Sequence, residues 1–132
     1  LQNNLIKNKT LFYIYYNELK KVEGLRIVKA HSSVTPNYQS FVCRIDTEKF
    51  GISRNQLLTV LREENVHARR YFYPGLQSYL KQDSNLFISD LACEQTIQLP
   101  IGELVDEVAA YKICEIIKTA QSFREQIKAF LT

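Results

Sequence analysis

The sequence is poor in the residues that mark unusual classes of protein. It has 4 Gly, 3 Pro and neither Trp nor Met among its 132 residues. So little Gly and Pro excludes a collagen-like fibre and a low-complexity linker. No apolar run approaches the roughly 20 residues that span a bilayer, and no charged-then-apolar leader opens the chain. We therefore predict neither a membrane partner nor a targeting segment.

A large excess of one charge sign is also lacking. The 17 basic and 14 acidic residues give a net charge of +3, and they are scattered along the chain. Such an excess does not predict a nucleic-acid partner. With 45% hydrophobic residues, the composition is that of one globular domain, residues 1–132. The start at Leu1 with no Met suggests either a trimmed chain or a domain excised from a longer protein.

The three cysteines, Cys43, Cys93 and Cys114, cannot all form disulfides with one another. None of them lies in a CxxC pair or in the Cys/His spacing that is typical of zinc sites. We therefore expect no metal site, and a reduced protein in the cytoplasm.

The periodicity of apolar residues predicts helices and strands in alternation. In chain order they are a helix over 3–22, strands over 25–30 and 38–46, a helix from 53 to about 64, a strand over 66–73, a short helix over 84–94, a strand over 97–99, and one long amphipathic helix from about 103 to the end. This order predicts an α+β fold in which helices cover a small antiparallel or mixed sheet.

Two of these predictions rest on specific local signals. Ser53 and Gln56 have the spacing of a capping box, which begins a helix, and Asn65 suits the left-handed residue that ends it. In the strand over 38–46, Phe41, Cys43 and Ile45 alternate and are expected on one face.

The segment from Val66 to Pro74 carries the residues most suited to binding. Alternation along a strand places Arg69, Tyr71 and Tyr73 on one face together with His67, and Arg70 on the other. Guanidinium groups bind phosphate or carboxylate, and tyrosines offer a stacking surface and a hydroxyl. Because aromatic residues are common in strands, the spacing alone favours the alternative of an exposed sheet surface on which arginine stems lie over tyrosine rings. No nucleophile elbow, phosphate loop or paired acid and base is present, so we predict no catalytic residue.

A second functional class also fits this face. Arg69, Tyr71 and Tyr73 on an antiparallel sheet are similar to the stacking platform of an RNA-recognition fold or to a protein-interaction surface. The strand lacks the Lys/Arg-Gly-aromatic opening of that fold, and the positive charge is not concentrated.

Five sequence strings together carry a resemblance to a known family. They are Tyr16–Leu19, Asn37–Phe41, Gly51–Arg54, Ala68–Pro74 and Leu99–Pro100. In this order the chain resembles the C-terminal small domain of the DegT/StrS-type sugar aminotransferases, which are fold-type I enzymes that depend on pyridoxal phosphate. Ala68–Pro74 is most similar to members that act on dTDP-linked 4,6-dideoxy keto-hexoses.

The resemblance implies a parent enzyme that moves an amino group, usually from glutamate, onto a nucleotide-linked keto-sugar. Such reactions belong to the biosynthesis of deoxyaminosugars and surface polysaccharides such as lipopolysaccharide. In this family the pyridoxal phosphate and its lysine lie in a large N-terminal domain, which is absent from residues 1–132. The resemblance therefore implies a fragment that binds no cofactor and is inactive alone, and a parent that is a homodimer.

The resemblance also assigns the substrate-facing residues. Arg69 is expected to contact the sugar or diphosphate, with Tyr71 and Tyr73 beside it. Arg70 is a fourth candidate, although alternation places it on the opposite face. The apolar stripe of the tail, residues 122–132, is expected to pack on the missing domain or a partner subunit.

Overall fold

The computed structural model describes residues 2–28, 38–70, 94–102 and 104–131. Within these residues, four strands form one sheet and five helices pack around it. In chain order the elements are α1 (Gln2–Leu19), β1 (Leu25–Val28), β2 (Phe41–Ile45), α2 (Thr47–Phe50), α3 (Arg54–Glu63), β3 (Arg69–Arg70), β4 (Thr96–Leu99), α4 (Glu107–Ser122) and α5 (Arg124–Leu131). The predicted helix over 84–94 falls almost wholly outside the described residues. No described helix is long and apolar enough to cross a membrane.

The sheet has the strand order β1-β2-β4-β3, and each described pair of neighbouring strands is antiparallel. The predicted α+β fold is therefore confirmed. Phe41, Cys43 and Ile45 of β2 are all fully buried, as predicted, and Val42 on the other face is buried as well. Their partners on β4, Leu99 opposite Phe41 and Ile97 opposite Cys43, are buried on the same face. This face of the sheet forms the centre of the core.

Helix α1 covers that face. Its buried side chains include Leu11, Tyr15 and Leu19, which recur at the helical spacing of four. The ring of Tyr15 lies 5.0 Å from that of Phe41, centroid to centroid, and its hydroxyl donates a hydrogen bond of 2.7 Å to the carbonyl oxygen of Pro100. The helix ends three residues before the predicted position, because the chain turns after Leu19 to enter β1.

The turn before β1 lies against the short helix α2. Gly24 has φ of +82°, and a Cβ there would collide with the backbone of Phe50. Glycine is the residue that accepts both the left-handed backbone and this close approach. Helix α2 was not predicted. Its cap is Asp46, whose side chain accepts from the N–H groups of Glu48 and Lys49.

Helix α3 begins and ends as the sequence predicts. The Ser53 hydroxyl accepts from the Gln56 N–H at 3.1 Å, and the Gln56 side chain accepts from the Ser53 N–H at 2.9 Å. At the other end Asn65 is left-handed, with φ of +66°. The Val66 N–H donates to the Leu61 carbonyl and the Asn65 N–H to that of Arg62, which is the hydrogen-bond pattern of a Schellman motif.

The prediction of one unbroken C-terminal helix is wrong. Helix α4 begins after its cap Asp106 and ends at Ser122, and α5 starts at Arg124. Between them Phe123 leaves the helical backbone, with φ of −103° and ψ of 25°. The apolar spacing continues across this break, but the two helices meet different surroundings. Helix α4 packs mainly on α1, whereas α5 packs on α3 as well as on α4.

Candidate functional site

The candidate residues Arg69 and Arg70 form the edge strand β3. Arg69 is in register with Gln98 of β4, and Arg70 is in register with the buried Ile97. Residues that pair directly share a face of the sheet. Arg70 therefore belongs to the helix-covered face, at its edge, and Arg69 belongs to the opposite face, as alternation predicts. Both side chains are exposed. Tyr71 and Tyr73 lie outside the described residues.

A short connection fixes the position of Arg69. Only residues 65–68 separate the last residue of the α3 turn from β3, and two of them, Val66 and Ala68, are buried in the core. His67 and Arg69 alternate with them and are exposed. The buried pair therefore anchors the connection, and the Schellman turn sets the direction in which Arg69 is presented.

A cavity of about 630 Å³ lies beside this strand. Arg69, His67 and Gln98 line it from the sheet side, and Lys112 lines it from α4. Apolar side chains, among them Ile113 of α4, form most of the remaining wall, and the acidic residue Glu64 also lines it. A largely apolar wall with two cations and one carboxylate can hold a small molecule that carries an anionic group and an apolar or ring portion.

Lys112 and Gln98 are two polar lining residues that the sequence did not identify. Lys112 comes from a helix more than forty positions after Arg69 in the chain, so only the packing of α4 beside the sheet brings the two together. No local motif marks either residue. Only the packing of β4 and α4 in the tertiary fold shows that these two residues line the cavity.

The described cysteines are not suited to chemistry at a site. Cys43 and Cys114 are free thiols and both are buried. Burial raises the pKa of the Cys43 thiol to about 12, and burial together with the nearby Glu18 carboxylate raises the pKa of Cys114 to about 12. Because the thiolate is the reactive form, both side chains are inert at neutral pH.

The described residues do not fit pyridoxal phosphate. A lysine that forms a Schiff base needs a desolvated or charge-crowded amine. Of the lysines within residues 2–28, 38–70, 94–102 and 104–131, none is buried, and Lys118 forms an ion pair of 2.6 Å with Glu18. The same described residues contain no group of three or more His, Cys, Asp or Glu placed to hold a metal ion.

Two curated proteins are similar to the chain in sequence. A dTDP-4-amino-4,6-dideoxy-D-glucose transaminase of Escherichia coli is 29% identical over 126 residues, which covers 89% of this chain and 33% of the relative. The protein of the same name from Shigella dysenteriae is 35% identical over 69 residues, which covers 50% of this chain and 18% of the relative. The chain thus spans a third or less of the length of these relatives.

Solved structures share the fold. The structure of DesI with its TDP-sugar product superposes on this chain with a TM-score of 0.87 at 22% sequence identity. The match covers 99% of this chain and 35% of that one. The aminotransferase TlmJ from Streptoalloteichus hindustanus gives 0.75 at 20% identity, over 100% of this chain and 34% of that one. At these identities the likeness concerns the fold.

The sequence similarities bear on the two functional classes that the sequence left open. The two curated transaminases support the aminotransferase class and give no support to an RNA-binding or protein-interaction module. The family model described as the DegT/DnrJ/EryC1/StrS aminotransferase family matches residues 1–118. That match covers most of the residues, so the chain belongs to the DegT/DnrJ/EryC1/StrS aminotransferase family.

Proposed function

We propose that this chain is the C-terminal small domain of a pyridoxal phosphate-dependent aminotransferase acting on a nucleotide-linked keto-sugar. Family membership supports the reaction class. The names of the two curated relatives support a dTDP-linked 4,6-dideoxy keto-hexose as the acceptor. Glutamate is the proposed amino donor, and deoxyaminosugar or surface polysaccharide biosynthesis is the proposed role.

The proposed parent is a longer protein. The chain spans about a third of the E. coli relative, and its described lysines are unsuited to a Schiff base. We therefore assign the cofactor and its lysine to a large domain outside residues 1–132, and we expect these residues alone to bind no cofactor and to be inactive. Pyridoxal phosphate, where it is bound, supplies the means of carrying the amino group from donor to acceptor.

The contribution of this chain is one wall of the substrate cleft. The observation that carries this proposal is Arg69, exposed on the edge strand beside a cavity of about 630 Å³. Its guanidinium would bind the diphosphate or a sugar hydroxyl through paired hydrogen bonds. The apolar wall would exclude water from the bound sugar. Tyr71, Tyr73 and Arg70 remain proposed neighbours of the substrate.

Replacing Arg69 in the parent enzyme tests this role. We expect Arg69→Ala to lower kcat/KM for the dTDP-linked keto-sugar by about 10- to 100-fold, since a hydrogen bond to a charged group is worth about 1.5–3 kcal/mol. The rate of 2-oxoglutarate release measures the full reaction. The reaction with glutamate alone, followed by the change in cofactor absorbance, should be unchanged.

A matched control removes an arginine elsewhere. Arg62 is exposed in the last turn of α3, and it is not among the residues lining the cavity. Arg62→Ala should leave kcat/KM unchanged. Equal losses in both variants, or no loss in Arg69→Ala, would contradict the role of Arg69. Failure of the parent to aminate any dTDP-linked keto-sugar would contradict the proposed reaction itself. Transaminase activity from residues 1–132 alone would contradict the assignment of the cofactor and its lysine to another domain.

The proposed parent is a homodimer in the cytoplasm. The free thiols of Cys43 and Cys114 are in keeping with a reducing compartment. The tail offers surface for a subunit or domain contact, because Phe130 is 87% exposed on α5. Light scattering on the purified parent gives its mass in solution, and a monomer would remove the dimer from the proposal.

A further inference from the structure

A second cavity, of about 420 Å³, lies at the other end of the strand order from Arg69. It is lined by Arg26 of β1, Arg44 of β2 and Lys49 of α2, together with Asp46 and Gln95. Three interstrand spacings, about 14 Å, separate β1 from β3 across the sheet. The three cations of this cavity, Arg26, Arg44 and Lys49, are called here the basic cluster.

Two of the cations are held side by side by the sheet. Arg26 and Arg44 are directly opposite in the antiparallel register of β1 and β2. Directly opposite residues share a face, with their Cβ atoms about 4.5–5.5 Å apart, and like charges there destabilise the pair. The strand register therefore places two cationic residues side by side on one face of the sheet, where their like charges oppose the pairing.

One of the two is also oriented. The Nε of Arg44 donates a hydrogen bond of 2.7 Å to the Oε1 of Gln95, and the residue is half-buried. This bond uses one donor of the guanidinium and leaves its two terminal nitrogens for another acceptor. Gln95 thus acts as a positioning residue for a planar pair of donors.

Among the described residues that line the cavity, the three cations of the basic cluster outnumber the acidic side chains. Asp46 is the only carboxylate among the residues that line the cavity, and it accepts from two backbone N–H groups as the cap of α2. The ion pairs found among the described residues are Lys118 with Glu18 and Lys128 with Glu125. No ion pair between described residues therefore neutralises Arg26, Arg44 or Lys49.

We propose that the basic cluster binds a phosphate or diphosphate group. Two guanidinium groups and one ammonium around a small cavity match a compact anion with several oxygens. Such an anion would offset the repulsion between Arg26 and Arg44. The volume suits a small molecule better than a peptide chain, which needs an extended groove. The proposal does not rest on the proposed aminotransferase reaction.

Titration calorimetry with inorganic pyrophosphate at low ionic strength tests the site in the intact, cofactor-loaded protein. We expect Arg26→Gln to weaken pyrophosphate binding by about tenfold or more. The control Arg62→Gln removes the same charge from an exposed position and should change the affinity by less than about twofold. Arg69→Ala should also leave this affinity unchanged, which separates the site from the proposed substrate contact.

Thermal unfolding gives a second readout. Without ligand, Arg26→Gln should unfold at a higher temperature than the unsubstituted protein, because the like-charge pair is gone. With saturating pyrophosphate, the rise in unfolding temperature should be smaller for Arg26→Gln than for the unsubstituted protein. A variant that fails to fold would be visible in the same scan and would contradict the inferred repulsion.

The source of the phosphate is distinguished by comparing ligands. If dTDP binds more tightly than pyrophosphate and both depend on Arg26, the natural ligand is a nucleotide. If the two bind equally, the ligand is a free diphosphate. Either result supports the site. Three results overturn it: no pyrophosphate binding, equal weakening in Arg26→Gln and Arg62→Gln, or Arg26-dependent binding of poly-glutamate in preference to pyrophosphate.

Discussion

Removal of the Tyr15 hydroxyl tests the link between the core and the wall of the Arg69 cavity. The hydroxyl donates a 2.7 Å hydrogen bond to the carbonyl oxygen of Pro100, which itself lines that cavity. The Tyr15 side chain is fully buried, and burial raises the pKa of its phenol, so the group stays a protonated donor at neutral pH. Tyr15→Phe keeps the ring and its contact with Phe41 and removes only this bond.

The expected loss of stability is about 1–2 kcal/mol. An intramolecular hydrogen bond contributes about 1 kcal/mol net, and a buried acceptor left without a donor costs more. The contact around Pro100 is only partly buried, so water can replace some of the loss. For a domain of this size the change corresponds to a decrease of about 4–7 °C in the unfolding temperature. Urea unfolding followed by far-ultraviolet circular dichroism gives the free energy directly.

A matched tyrosine on the surface provides the control. Tyr111 of α4 is 51% exposed, so Tyr111→Phe should change the free energy of unfolding by less than about 0.5 kcal/mol. A loss in Tyr15→Phe no greater than that in Tyr111→Phe would refute the reasoning, because the buried hydrogen bond would then contribute nothing.

Two further predictions concern the cap of α3 and the buried thiols. Ser53→Ala removes the acceptor of the capping box and should cost about 1 kcal/mol in urea unfolding, while Ser53→Asp should retain most of the stability; equal losses in both would contradict the cap. Burial raises the pKa of Cys43 and Cys114 from an unfolded value of about 9 to about 12. The free energy of unfolding that these protonated thiols contribute is therefore fully present below about pH 9 and is lost as the pH rises towards 12. The loss is up to about 1.4 kcal/mol per pH unit for each thiol. The double variant Cys43→Ala/Cys114→Ala should therefore show a flatter decrease in stability between pH 9 and 10, and an unchanged slope would contradict the assignment.

Local chemistry explains which elements could be predicted from the sequence. Helix α3 was predicted at both ends because Ser53 and Asn65 act within one turn of the chain. Helix α2 carries the same kind of signal, with the cap Asp46 before it and Gly51 after its last turn. It was missed because it is only four residues long. The break at Phe123 could not be predicted, because no Gly or Pro marks it in the sequence. It coincides with the change in packing between α4 and α5.

The same distinction applies to the candidate site. The position of Arg69 on the face opposite Arg70 follows from strand alternation, which is a local rule. The cavity beside it does not, because Lys112 reaches it only through the packing of α4. The opposition of Arg26 and Arg44 depends on the register of β1 and β2, and composition alone gave no indication of it.

The central place of β2 in the sheet has a consequence for the order in which the chain folds. Its neighbour β1 precedes it by about a dozen residues, whereas its other neighbour β4 follows about 50 residues later. Closing the longer loop costs about 1 kcal/mol more in chain entropy. We expect the β1–β2 hairpin to form early and the arrival of β4 to limit the folding rate.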